Sequence, residues 1–237
     1  MMNVKYGSWV TMVFCFCLVM GCQTERGKHT ESEIALLEAV WNGDQQTAAS
    51  LLDKGVNVNA RDTYQATSLL YSAHRRNEPI MRLLLEHQAD VNAADNRHVT
   101  ALMEAVAKDC LGCVNLLLEY HADVRARDIN QNTALIFAAG VAGPDMVTLL
   151  LESGAEIDSH NHIGMTALMQ AARSGKFETA RRLLVHGANV NQRMGNGATA
   201  LLLAEQHGHT AIVNLLKTFG AIDFREQEKM IPLWTVP

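Results

Sequence analysis

One interval recurs through most of this chain and constrains its fold more than any other feature. Five threonines are spaced 33 residues apart, at Thr67, Thr100, Thr133, Thr166 and Thr199. Three aspartates share that spacing, at Asp62, Asp95 and Asp128. A fixed period of this size without insertions indicates a stack of one supersecondary unit. Stepping by the period predicts six units, which begin at His29, Asp62, Asp95, Asp128, Asn161 and Met194.

The unit that begins at Asn161 shows the expected internal pattern. A first helix starts at Thr166 and stops at Gly175, and a second, leucine-containing helix stops at Gly187. Threonine favours helix starts and glycine favours helix ends. We therefore expect an all-α solenoid of six stacked helix-turn-helix units with extended loops. In such a stack no unit buries its apolar face alone.

Three segments of this unit resemble the motifs of the ankyrin repeat: Gly164–Leu168, Ala171–Gly175 and Gly187–Asn191. The resemblance covers residues 31–223 and implies a binding scaffold rather than an enzyme. One departure runs through all six units, because an apolar residue replaces the histidine of the family motif. These residues are Leu37, Leu70, Met103, Ile136, Met169 and Leu202. We expect them to add apolar burial.

A second departure concerns the glycines of the motif. Arg76, Asp109 and Ala142 stand where the first helix should end in glycine, and Gln88 and His121 replace the second glycine. A residue other than glycine with positive φ is strained by about 1 kcal/mol. The second and third units are therefore predicted to be the least ideal.

The N-terminus reads as a targeting segment. One cation, Lys5, precedes the apolar run Val10–Met20, which is too short to span a membrane. The following Gly21 and Cys22 complete a segment that resembles the lipobox of bacterial lipoproteins. The resemblance implies cleavage before Cys22 and its lipidation, with the rest of the chain in the periplasm. An uncleaved anchor helix is the alternative.

Four regions follow from these observations. Residues 1–21 are predicted to be a lipoprotein signal peptide, 22–30 a tether, 31–223 the ankyrin repeats and 224–237 a C-terminal cap or tail. If the sorting pattern of enterobacterial lipoproteins applies, Gln23 after the lipidated cysteine favours the outer membrane over the inner. The tail either covers the last unit or acts as a docking peptide.

Two cysteines remain in the predicted folded region, Cys110 and Cys113. They lie at the start of a second helix, where an i, i+3 pair can form a disulfide and the helix dipole favours a thiolate. Three interpretations stay open: a structural disulfide, a redox catalyst, or a core position at Cys113.

The sequence offers no constellation for catalysis. The histidine pairs His160/His162 and His207/His209 are a weak signal for zinc, since a closed zinc site needs four ligands. The net charge of −5 argues against a nucleic-acid binder. We expect no enzyme activity, cofactor, metal or small-molecule substrate.

Ankyrin arrays bind through loop tips and the ends of first helices, which line a concave face. The resemblance assigns this role to Trp41, Tyr64, His74, Arg75, Arg97, Lys108, Ile129, Asn130, Asn132, His162, Ile163, Arg173 and His207. The set contains four arginines and lysines and no carboxylate. That imbalance predicts a partner protein with an acidic docking surface. A randomly assorted solvated face is the alternative.

The functional expectation is a non-catalytic, lipid-anchored ankyrin protein that binds another protein in the periplasm. This combination resembles the immunity lipoproteins that neutralise phospholipase effectors of type VI secretion. It also resembles periplasmic ankyrin proteins linked to peroxide resistance. Two further alternatives are a redox protein that uses Cys110 and Cys113, and a purely structural envelope lipoprotein.

Overall fold

The structure is a computed structural model that describes residues 30–225. Twelve α-helices in that part form six consecutive pairs. The pairs are α1 (Glu31–Asn42) with α2 (Gln45–Asp53), α3 (Ser68–His74) with α4 (Glu78–Glu86), α5 (Ala101–Ala107) with α6 (Leu111–Glu119), α7 (Ala134–Val141) with α8 (Pro144–Glu152), α9 (Ala167–Ser174) with α10 (Phe177–Val185), and α11 (Ala200–Gln206) with α12 (Thr210–Thr218). The predicted all-α repeat solenoid is confirmed.

Several predicted features lie outside the described residues. They are the signal peptide, the lipidated Cys22, residues 22–29 of the tether and residues 226–237 of the tail. Among the helices that are described, none is long and apolar enough to cross a membrane.

A threonine caps the first helix of every unit from the second onward, which explains the 33-residue period. The hydroxyl oxygen of Thr100 accepts a hydrogen bond from the backbone N–H of Met103 at 3.3 Å. The equivalent bond is made by Thr67, Thr133, Thr166 and Thr199. Losing such a cap costs about 1 kcal/mol, so the threonine fixes where each helix begins.

The helices form two layers. Each first helix packs against the first helices of the neighbouring units, and each second helix packs on the first helix of its own unit. Small buried side chains on the first helices, such as Ala105, Ala138 and Ala171, let them approach closely. Met103 and Met169, at the family's histidine position, are buried as expected. The core therefore runs through the whole described stack.

Left-handed backbone occurs at four of the five predicted non-glycine positions. The φ angles of Arg76, Gln88, Asp109 and His121 are 57°, 65°, 52° and 63°. Three further residues with positive φ were not predicted, and they lie in the loops before first helices: Gln65, His98 and Gln131. Six of these seven residues belong to the second and third units, so backbone strain is concentrated there.

The expectation of positive φ at Ala142 is wrong, because its φ is −86°. Pro144 is the first residue of α8, and Gly143 before it is extended, with φ −81° and ψ 172°. A proline disfavours helical backbone in the residue that precedes it. The chain between α7 and α8 therefore runs extended and needs no left-handed residue.

The first residues of the tail contact the last unit and the end of the fifth. The Arg225 guanidinium pairs with the Glu205 carboxylate of α11. The guanidinium carbon of Arg193 lies 4.7 Å from the centre of the Phe224 ring. Residues 226–237 lie outside the described part, so the choice between a cap and a docking tail stays a prediction.

Candidate protein-binding face

A tight hairpin precedes each first helix from the second unit onward, and in four units a side-chain oxygen fixes its shape. Asp95 Oδ1 accepts hydrogen bonds from the backbone N–H groups of Arg97 and Val99, at 2.8 and 2.9 Å. The same two bonds are made by Asp62, Asp128 and Asn161. Short Asp and Asn side chains favour such turns. The aspartate period therefore specifies the loops, as the threonine period specifies the helices.

Backbone hydrogen bonds join the tips of successive hairpins. The N–H of Asn96 donates to the carbonyl oxygen of Tyr64 at 2.9 Å. The equivalent bonds run from Ile129 to Arg97, from His162 to Asn130 and from Gly195 to Ile163, at 2.9, 3.1 and 3.3 Å. Each tip is thus fixed to the next along five units. We call these tips, together with the C-terminal ends of the first helices, the candidate binding face.

The N-terminal part of this face is an aromatic and cationic cluster around Trp41. The indole stacks on the His74 imidazole, with ring centres 5.7 Å apart, and meets Tyr71 edge-on at 5.5 Å. The guanidinium carbon of Arg75 lies 5.2 Å from the centre of the indole, which is a cation–π contact. The structure therefore brings together three of the predicted site residues.

Tyr71 connects this cluster to the hairpin row, because its hydroxyl donates a hydrogen bond to the Asp62 carboxylate. Burial raises the pKa of Tyr71, and the bond and charge of Asp62 raise it further. The hydroxyl therefore stays protonated as a donor. Tyr71 was not among the predicted site residues, because it lies within the helix rather than at its end.

Two carboxylates outside the predicted set of site residues lie among the cations of the face. The Nε and Nη2 atoms of Arg97 are 3.0 and 2.9 Å from Oδ2 of Asp95. Oε1 of Glu104 lies 2.6 Å from Nδ1 of His74 and 3.8 Å from Nζ of Lys108. A face of four cations without a carboxylate therefore does not describe the site.

Glu104 is ionised at neutral pH. Burial acts to raise the pKa of its carboxyl group, but the His74 hydrogen bond and the charges of His74, Lys108 and Arg97 lower it by more. Within residues 30–225, Arg75 and Arg173 are the two predicted cations without a carboxylate partner. The free positive charge of the face is thus smaller than the sequence suggests.

Three of the hairpin tips also expose a large apolar side chain. Ile129 is 62% exposed, and Tyr64 and Ile163 are each 45% exposed. Val141, at the end of α7, is 51% exposed. Exposed aromatic and branched aliphatic side chains on a fixed backbone are typical of protein-binding surfaces.

The predicted polar residues at the centre of the face make hydrogen bonds to one another and to the hairpins of the face. Asn132 donates to the Asp128 carboxylate at 3.0 Å and accepts a bond from the Asn161 amide at 2.9 Å. The carbonyl oxygen of Asn130 lies 2.8 Å from Nδ1 of His162. The side chains of Asn132 and His162 therefore hold neighbouring hairpins together before any partner binds.

The histidine pairs make contacts both within their own unit and with the neighbouring unit. The rings of His207 and His209 stack with their centres 6.1 Å apart. Nδ1 of His207 is 2.9 Å from the Leu203 carbonyl oxygen, and Nε2 of His209 is 3.2 Å from that of Arg173. Neither His160/His162 nor His207/His209 belongs to a group of three or more potential metal ligands in the described part of the chain.

Cys110 and Cys113 lie at the start of α6, and their sulfur atoms are 2.08 Å apart, at bonding distance. Their exposed fractions are 4% and 0%. This arrangement agrees with the disulfide among the three interpretations of the sequence. It leaves little sulfur surface for a reaction with another protein.

Taken together, the paired helices, the capped starts and the row of hairpins define a repeat scaffold with one continuous loop-bearing face. The family model described as "Ankyrin repeats (3 copies)" matches residues 36–128 and 135–228. The chain belongs to the ankyrin-repeat family, whose members are generally protein–protein interaction modules and typically non-catalytic. A search of curated proteins finds none that matches the chain.

Proposed function

We propose that this protein is a lipid-anchored ankyrin scaffold of the periplasm that holds a partner protein on the candidate binding face. The observation that carries the proposal is the hairpin row, in which backbone bonds fix the chain at exposed Tyr64, Ile129 and Ile163. A preorganised surface loses little conformational entropy on binding, so apolar contacts there contribute most of their energy to affinity.

The charges of the face favour a partner with acidic groups at two places. Arg75 and Arg173 are exposed and have no carboxylate partner in the described part of the chain, so each is free to meet an acidic residue. Arg97 and Lys108 already pair with Asp95 and Glu104, so their positive charges are largely offset within the face. Nucleic acid and small molecules are not part of this proposal.

The anchor rests on the lipobox-like segment that ends at Cys22. We expect the wild-type chain to incorporate labelled palmitate and to fractionate with the outer membrane. Cys22→Ala is the matched variant, and it should incorporate none. Equal labelling of the two proteins would remove the lipid anchor from the proposal without affecting the binding face.

The partner class that fits best is a secreted toxin that arrives in the periplasm, because an anchored scaffold there is placed to occlude it. Producing the captured partner in the periplasm should be toxic alone and harmless with wild-type scaffold. A deletion strain that is sensitive to peroxide, and whose partner is harmless, would instead favour a role in oxidative stress.

A redox role has one observation in its favour, the bonded pair Cys110 and Cys113. Exchange with a protein disulfide needs an accessible sulfur atom, and these are almost fully buried. We therefore rank a redox role of the disulfide second to protein binding on the face. Replacing both cysteines with serine should leave partner binding intact if the face carries the function.

Photo-crosslinking tests the face directly. Ile129 and Val185 are both 62% exposed, but Ile129 is at a hairpin tip and Val185 ends the second helix α10. A photoreactive amino acid at position 129 should give one discrete adduct in envelope preparations, and the same probe at 185 should give none. Adducts at 185 alone would overturn the proposed face.

A further inference from the structure

The second helix α6 begins with a cysteine where the two preceding units use an oxygen-bearing cap. Asp44 and Asn77 occupy the equivalent position, and their side-chain oxygens accept the backbone N–H three residues later at 3.0 and 3.1 Å. Sγ of Cys110 accepts the N–H of Cys113 at 3.3 Å. Sulfur is a weak acceptor, so capping alone does not account for cysteine at this position.

A carboxylate from the preceding unit lies against the two sulfur atoms. Oε1 of Glu78, at the start of α4, is 3.9 Å from Sγ of Cys110. The carboxylate and both sulfurs place one ligand atom each within 4.8 Å of one another. A Cβ atom on Gly112 would lie only 2.0–2.6 Å from the carboxyl group. Glycine at position 112 is therefore what allows Glu78 to reach the cysteines.

We propose that the dithiol form of this protein binds a thiophilic divalent cation such as Zn²⁺ through Cys110, Cys113 and Glu78. Tetrahedral zinc, with Zn–S of about 2.3 Å and Zn–O of about 2.0 Å, needs S···O of about 3.5 Å and S···S of about 3.8 Å. The observed S···O distance is 3.9 Å. The Cα atoms of the cysteines are 5.3 Å apart, so side-chain rotation suffices to separate the reduced sulfurs.

The local charges favour a cation once the disulfide is open. Two thiolates beside the Glu78 carboxylate would place three negative charges together, and these charges repel one another. The N-terminus of α6 and the Cys113 N–H offset only part of that repulsion. A divalent cation reduces the total to one negative charge. Three protein ligands leave the fourth position to water, as in open zinc sites.

Disulfide and metal exclude each other, because both use the same sulfur atoms. In the test, a phosphine supplies the two electrons that break the S–S bond and leaves as phosphine oxide with an oxygen atom from water. Two protons then reside on the thiols. Metal binding releases both protons, so affinity should fall with decreasing pH. The site is thus available in reduced protein and closed in oxidised protein.

Cobalt titration gives a direct readout. Full-length protein in detergent is reduced anaerobically, freed of phosphine and titrated with Co²⁺ and then Zn²⁺. We expect one equivalent of Co²⁺ to produce sulfur-to-cobalt charge-transfer absorption that Zn²⁺ abolishes. Oxidised protein should show none. The double variant Cys110→Ser/Cys113→Ser should show only the background from cysteines outside this site.

The carboxylate is tested by a matched pair on α4. Glu78→Gln should weaken Zn²⁺ binding at least about tenfold, since loss of even an outer partner of a metal ligand costs about 10–100-fold. Glu86→Gln, which changes an exposed carboxylate on the same helix, should bind as wild type does. Circular dichroism confirms that each variant is folded. Absence of the cobalt band in reduced wild type, or equal affinity of Glu78→Gln, overturns the three-ligand site.

Discussion

The residue just beyond the second helix has left-handed backbone in all six units. The φ angles are 80° at Gly55, 65° at Gln88, 63° at His121, 92° at Gly154, 91° at Gly187 and 85° at Gly220. Four of these residues are glycines and two are not. Because both exceptions are exposed, their replacement tests backbone strain with little change in packing.

Gln88→Gly and His121→Gly should each stabilise the protein. A side chain in left-handed backbone costs about 1–2 kcal/mol. Glycine offsets about 0.4–1 kcal/mol of that through its greater freedom in the unfolded chain. The net gain is about 0.5–1 kcal/mol per site. In a chain of this size, each kcal/mol of added stability raises Tm by roughly 2–4 °C.

Gly187→Ala makes the opposite change, because it replaces glycine with a side-chain-bearing residue in left-handed backbone. A Cβ atom at this position would have no neighbour within 4 Å, so the variant adds left-handed strain without a clash. It should lose about 0.5–1 kcal/mol. Urea unfolding followed by circular dichroism measures all three variants against wild type, with an unchanged m-value as the control for a common unfolding reaction.

The direction of each change in unfolding free energy tests the argument from backbone strain. If Gln88→Gly and His121→Gly both leave the urea midpoint unchanged or lower it, left-handed strain is not what weakens the second and third units. A stabilised Gly187→Ala would contradict the same physical argument from the other direction.

Three further predictions concern buried polar groups and local stability. Oγ of Ser68 is buried without a hydrogen-bond partner in the described chain, so Ser68→Ala should raise the unfolding free energy by about 1–3 kcal/mol. Ser72→Ala removes a 2.7 Å hydrogen bond and should lower the unfolding free energy. Equal urea midpoints for the two variants would refute this contrast. Glu104→Gln should lower stability by about 1 kcal/mol at neutral pH. Because the folded-state pKa of Glu104 is depressed, the wild-type advantage should disappear as the pH falls below the ordinary value of 4.5, and a deficit that persists in acid would contradict the assignment. Native-state amide exchange should be faster in the second and third units than in the fifth, which has glycine at all three left-handed positions; equal or slower exchange would count against strain.

The fold is predictable from this sequence because each repeated residue has a local task. The threonine at 33-residue intervals caps a helix, and the aspartate at the same interval closes a hairpin. Local rules of this kind act within four residues, so they can be read without knowledge of the tertiary structure. The extended turn at Ala142 could also have been predicted, because Gly143 and Pro144 follow it directly. The comparison with the other repeats led instead to an expectation of positive φ.

The site is less predictable because its contacts depend on how units stack. The Glu104–Lys108 pair has helical i, i+4 spacing and is visible in the sequence. Nothing local shows that Glu104 also meets His74, which is 30 residues away in the preceding unit. The approach of Glu78 to Cys110 spans 32 residues and requires the register between α4 and α6. That register is set by the tertiary structure and not by the local sequence.

The affinity of the captured partner for two matched variants tests the central claim most directly. Ile129→Asp places a charge at a hairpin tip, and Val185→Asp places one on an equally exposed residue of a second helix. A binding hot spot contributes at least about 2 kcal/mol, so Ile129→Asp should weaken binding about 30-fold or more, and Val185→Asp should stay within about threefold of wild type. Equal affinities for the two variants would show that the partner does not dock on the hairpin tips.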